Sequence, residues 1–130
     1  MNGTNQRLGY EFQLLRYAPD PVRNEGVHIG VILREQGSAH AEVRFTRDWR
    51  RVRCLDPDAD TALLESMEGE LRQRLAAQPA GQLMRVLEES LSLSVQLSEP
   101  KAYLAESLPA GMEELMKLYV EAPEKDAPRG

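Results

Sequence analysis

Cysteine is nearly missing from this sequence: Cys54 stands alone among 130 residues, so no disulfide can close within the chain. Histidine is almost as scarce. His28 and His40 are the two present, which leaves little from which to build a zinc site or a histidine-centred catalytic set. No G-x-S-x-G, no glycine-rich phosphate loop with lysine and no H-E-x-x-H occurs, so the common hydrolase, nucleotide and zinc-protease signatures are excluded. Long apolar runs are missing too. The longest nearly apolar stretch, 27–33, has seven residues, against the roughly 20 that a membrane-spanning helix needs. The first ten residues contain nothing that would serve as a secretory signal. A reducing, cytoplasmic setting is the expectation these absences leave.

What is present reads as a single folded domain. Apolar residues make up 42% and charged residues 28%, the balance of a globular chain rather than a disordered one. The net charge of −5 opposes nonspecific binding to nucleic acid. Its distribution is uneven: residues 1–54 hold nine arginines against six acids, and 55–130 hold seven Lys/Arg against fifteen acids. Two surfaces of unlike charge follow, an arrangement that suits a protein partner.

The first half alternates with the period of strands. Tyr10, Phe12 and Leu14 interleave with Glu11 and Gln13. A loop over 19–26, with Pro19, Pro21 and Gly26, interrupts the pattern. Val27, Ile29, Val31 and Leu33 then place a second strand with one apolar face, and Gly30 in its middle marks a bulge or a close backbone approach. A turn at Gly37 leads to a third strand with Ala41, Val43 and Phe45 inward, completing an antiparallel hairpin.

After Leu55 the period changes. Asp56 and Pro57 read as a helix start, and Leu63, Leu64, Met67, Leu71 and Leu75 follow at helical spacing, with Glu68–Arg72 and Glu70–Arg74 as surface pairs. A second helix is expected around 83–87, and a strand over 90–97 closed by Pro100. A last helix from Pro109 carries Met112, Leu115, Met116 and Tyr119 on its apolar face. The order β-β-β-α-α-β-α predicts an α+β domain over 1–120, an antiparallel sheet of about four strands with three helices over one face, and a flexible tail over 121–130.

Three clusters invite a functional reading. The 19–26 loop and its flanks gather Arg16, Asp20, Arg23, Glu25 and His28. Two guanidiniums can clamp a carboxylate or phosphate, and Glu25 with His28 could serve as an acid/base pair or as two metal ligands. The structural alternative pairs Arg16 and Arg23 with Asp20 and Glu25, locking the loop onto the sheet; in the working version of the loop Arg16 is held by Asp20 or Glu25 and Arg23 points outward to a partner. The second cluster, 44–53, includes Arg47, Arg50 and Arg51 around the single tryptophan, Trp49. It could stack single-stranded nucleic acid, or bury Trp49 and pair its arginines with the acidic helices. The third, Asp56, Asp58 and Asp60, imitates a calcium loop but has Thr61 where glycine is required and Met67 where the bidentate glutamate is required. Helix capping accounts for it. Cys54 reads as partly buried packing. No cofactor or metal is called for.

The opening segment, with Arg16-Tyr17-x-Pro19, Pro21-x-Arg23 and Glu25-x-x-x-x-Gly30 at fixed spacing, resembles a bacterial family known as domain of unknown function 3037. Residues 97–100 and the closing helix up to Val120 resemble it as well, so the likeness spans about 9–120, with His28 standing where the family pattern has Asn. The resemblance implies no activity of its own. It implies gene neighbours encoding HipA-like kinases of toxin–antitoxin modules, and so a non-catalytic interaction or regulatory domain partnered by such a kinase. The alternative is a small enzyme or nucleic-acid-binding factor that uses the Arg16–His28 region. A fourth strand at the sheet edge would also offer a route to a homodimer.

Overall fold

The structure is a computed structural model and describes residues 8–20, 22–23, 25–37, 41–77 and 94–121. The helix expected at 83–87, the strand start at 90, His40 and the tail beyond residue 121 lie outside them. The described elements are β1 (Leu8–Tyr17), β2 (Val27–Glu35), β3 (Ala41–Phe45), α1 (Arg50–Leu55), α2 (Thr61–Ala77), β4 (Val95–Leu97), β5 (Lys101–Ala105) and α3 (Leu108–Leu115). A π-helical turn (Met116–Val120) continues α3. The fold class is α+β, with an antiparallel sheet in the order β3-β2-β1-β4.

β1 is the centre of the sheet. β2 pairs along one side of it, while β4 meets Leu15–Tyr17 and β5 meets Leu8–Phe12 on the other. β4 and β5 therefore lie end to end, with Pro100 in the gap. β5 adds a strand to the four read from the sequence. The gap is bridged by Ser98, whose N–H donates to the Leu14 carbonyl (2.9 Å) and whose Oγ accepts the Leu14 N–H (2.8 Å). Gln13 Nε2 donates to the Ser98 carbonyl at 3.0 Å.

Helices cover both faces of the sheet, not one. Leu15, Tyr17, Ile29, Ile32, Val43 and Phe45 pack with Trp49 and Val52 of the α1 region and with Leu64, Met67, Leu71 and Leu75 of α2. Tyr10, Phe12, Leu14, Val31 and Leu33 pack on the opposite face with Met112, Leu115, Met116 and Val120. A bulge separates Ile29 from Val31: Leu15 faces Gly30 but Arg16 faces His28, so Ile29 is the extra residue. The single apolar face read for β2 is thereby divided between two cores. Gly30 makes this possible, because a Cβ there would lie 2.8 Å from the Arg44 carbonyl oxygen. Gly37 takes the positive φ, 76°, that its turn requires.

Local expectations fail at four places. α2 starts at Thr61 with Asp60 as its cap, Oδ1 accepting the Leu63 N–H at 3.0 Å, whereas Asp56 follows the end of α1. Buried Leu64, Met67, Glu68, Leu71 and Leu75 define the inward stripe of α2, and Leu63, about 100° away from Leu64, is 57% exposed. Cys54 is exposed, since Val52 takes the inward position of the short α1. In the last helix Val120 is buried while Tyr119 is 39% exposed. The wider π winding carries Val120 back to the face of Met116, with the Glu121 N–H donating to the Met116 carbonyl at 2.6 Å.

Candidate functional site

Arg16 and His28 are cross-strand partners at the loop end of the sheet. Both are half-buried, because alternation along β1 puts Arg16 on the face of Tyr10, Phe12 and Leu14 while the strand end stays open to solvent. Arg16 Nη1 donates to Gln96 Oε1 at 3.2 Å. The guanidinium lies against Gly26, where a Cβ would come within 2.6 Å of Arg16 Nε and 2.8 Å of the Tyr17 carbonyl oxygen. Gly26 thus closes the loop and makes room for the arginine at once.

Burial, chiefly, and then the charges of Arg16 and Arg51 hold the His28 imidazole below its ordinary pKa of 6.5, while a hydrogen bond from the ring to the Tyr119 carbonyl opposes that shift. The carbonyl belongs to the π-helical turn. Tyr119 also stacks on Phe12, with ring centroids 5.7 Å apart. The sequence grouped Arg16 with His28, set Arg51 in the separate 44–53 cluster, and singled out neither Gln96 nor Tyr119 as a site residue. The apolar spacing of the last helix assigned Tyr119 to the core, and Gln96 sits in a strand whose position in the sheet no local pattern could supply.

The loop itself is pinned by Asp20. Its Oδ1 accepts the Val22 N–H (3.1 Å) and its carbonyl accepts the Arg23 N–H (3.1 Å), an Asx turn. Val22 stands 92% exposed at the tip, and Arg23 Nε lies 3.7 Å from Glu25 Oε1 with both side chains largely in solvent.

The second arginine cluster is engaged differently. Trp49 is 4% exposed, with its Nε1–H donating to Glu65 at 2.8 Å, so its ring is core and offers no stacking surface. Arg47 pairs with Glu68 at 3.4 Å. Arg50 forks onto Asp48, and these hydrogen bonds pull the Asp48 carboxyl down to about 2. Of the arginines proposed there, Arg51 is the one whose charge acts on His28. Among the described residues, no three His, Cys, Asp or Glu side chains gather into a metal-binding group, and no helix is long and apolar enough to cross a membrane.

A family model described as "Protein of unknown function (DUF3037)" matches residues 12–120. No curated protein and no solved structure matches the chain. The match runs from within β1 to the end of the π-helical turn and takes in Arg16, Gly26, His28, Gln96 and Tyr119, so the chain belongs to the DUF3037 family.

Proposed function

We propose that this is a cytoplasmic protein-interaction or regulatory domain whose contact surface is the loop end of the sheet. The observation that carries this reading is the joining of an exposed apolar tip to a cationic base. Val22 is held outward by the Asp20 turn, and Arg16, His28 and the partly exposed Tyr119 lie at the same sheet end. A turn fixed before binding loses little conformational entropy on association, and a cationic base steers an acidic partner to it. The burial of Trp49 takes support away from a nucleic-acid reading.

The HipA-like kinase implied by the family resemblance is the first partner to test. Co-expression of this chain with the kinase encoded beside it is expected to give a complex that survives purification. Val22→Asp and Arg23→Ala are expected to weaken that complex at least tenfold while leaving the melting temperature unchanged, because both side chains are exposed. A complex indifferent to both substitutions refutes this surface. Failure to form a complex removes the kinase from the proposal.

A further inference from the structure

We infer that β5 is a dimerisation edge, on which two copies of this chain join their sheets across a two-fold axis at Tyr103. The inference is separate from the contact surface at the loop end. β5 pairs with Leu8–Phe12, whereas the loop leaves β1 at Tyr17, so the two lie at opposite ends of the central strand.

The aim of the backbone groups on β5 follows from β1. The Gly9 carbonyl accepts the Gln36 N–H and so faces β2, while both backbone groups of Leu14 bond to Ser98 on the other side. Alternation then turns Tyr10 and Phe12 toward β5. Their partners Tyr103 and Lys101 bond inward, which leaves Ala102 and Leu104 with N–H and C=O groups aimed away from the sheet. Among the described residues none bonds to those groups. The opposite edge is different: on β3 the Phe45 N–H and the Val43 carbonyl are taken by Glu68 and Arg72.

A second copy of the chain matches this edge. With Tyr103 opposite its own counterpart, Ala102 exchanges both backbone bonds with Leu104 of the second copy, and the two-fold repeats the exchange. On the α2-side face this sets Leu104, 58% exposed, beside exposed Ala102, a large apolar group against a small one. On the other face Lys101 is exposed and forms no ion pair with a described residue. Diagonally across from it stands Tyr103 of the second copy, whose hydroxyl donates to Glu114. Each ammonium therefore meets the other copy's Glu114 carboxylate. No like charges are opposed, since Lys101 faces Ala105 and Glu106 faces Pro100. An axis at Ala102 would set Leu104 against Pro100, which has no N–H, and an axis at Leu104 would take Lys101 away from Glu114. Complementarity of an edge to itself selects a second copy over an unrelated strand.

Sedimentation equilibrium of the full chain, from micromolar to millimolar concentration, reads the association. A mass of 14.6 kDa is expected at the dilute end and twice that at the concentrated end. Ala102→Pro removes an outward donor from each copy, a place where an edge strand accepts proline, and is expected to weaken the dimer at least tenfold. Lys101→Glu and Glu114→Lys are each expected to weaken self-association by a similar factor, because like charges then meet across the axis. Mixed in equal amounts, these two variants are expected to associate as tightly as wild type, since each offers the other the opposite sign. That recovery decides the matter even where Ala102→Pro fails to fold. A mass of 14.6 kDa at every concentration overturns the inference, as does a dimer indifferent to a folded Ala102→Pro. So does a mixture of the two charge variants that stays monomeric while each melts as wild type does.

Discussion

Tyr17 joins an apolar ring to a hydroxyl, and the fold satisfies the two separately. The ring packs in the α2-side core, and the hydroxyl donates to Asp56 Oδ2 at 2.7 Å. Burial first, then the bond to Asp56 and its charge, push the phenol up to about 12 from its ordinary 10.0. Between those values the native state keeps a proton that the unfolded state has lost, so stability falls as pH rises through the window. Wild type is expected to lose on the order of 2 kcal/mol more than Tyr17→Phe between pH 10 and pH 12. Urea unfolding at the two pH values measures the difference, and parallel losses would mean that the hydroxyl is not held. This pairing was not legible in the sequence. Asp56 precedes a proline and reads as a cap, and nothing local connects it to a tyrosine 39 positions away.

At the scale of elements, α2 closes the outer edge of the sheet. Glu68 Oε2 accepts the Phe45 N–H at 2.8 Å, and Arg72 donates to the Val43 carbonyl at 3.2 Å. One acceptor and one donor, one helical turn apart, take two of the outward backbone groups that a further strand would have bonded. The sequence showed Glu68–Arg72 as a surface ion pair. The pair exists, at 3.3 Å, but Glu68 is 5% exposed, and its main duty is to the backbone. Glu68→Ala is expected to cost about 2 kcal/mol in urea unfolding, with Glu68→Gln intermediate because it keeps an acceptor. Light scattering is expected to show concentration-dependent association of the alanine variant, since an edge without its cap invites pairing. Equal stability and unchanged mass would reject the capping role. Strand and helix types were legible here because period-two and helical spacings are local. The division of β2 was not: the alternation from Val27 to Leu33 is unbroken as text, and the bulge arises from the approach of Gly30 to a neighbouring strand. The loop cluster was legible as a set of residues. Its assembly with Gln96 and Tyr119 depended on contacts from the far end of the chain.

The whole molecule is a sheet with a core on each face, and the two cores draw on different parts of the sequence. The α2-side core takes most of its residues from before position 77, whereas the cover over Tyr10, Phe12 and Leu14 comes from Ala105 onward. A fragment of residues 1–77 therefore lacks one complete layer and both partners of β1's second side. It is expected to show no cooperative thermal transition by circular dichroism; a sharp transition would mean that the α2-side core is self-sufficient. The same arrangement has a consequence for biosynthesis. Gln13 and Ser98, which meet across that second side, are 85 residues apart. At roughly 5–20 residues per second on the ribosome, the central strand waits from about 4 to 17 seconds with one row of backbone donors and acceptors unmatched. The length of that wait is set by the speed of translation, and the finished protein's stability does nothing to shorten it.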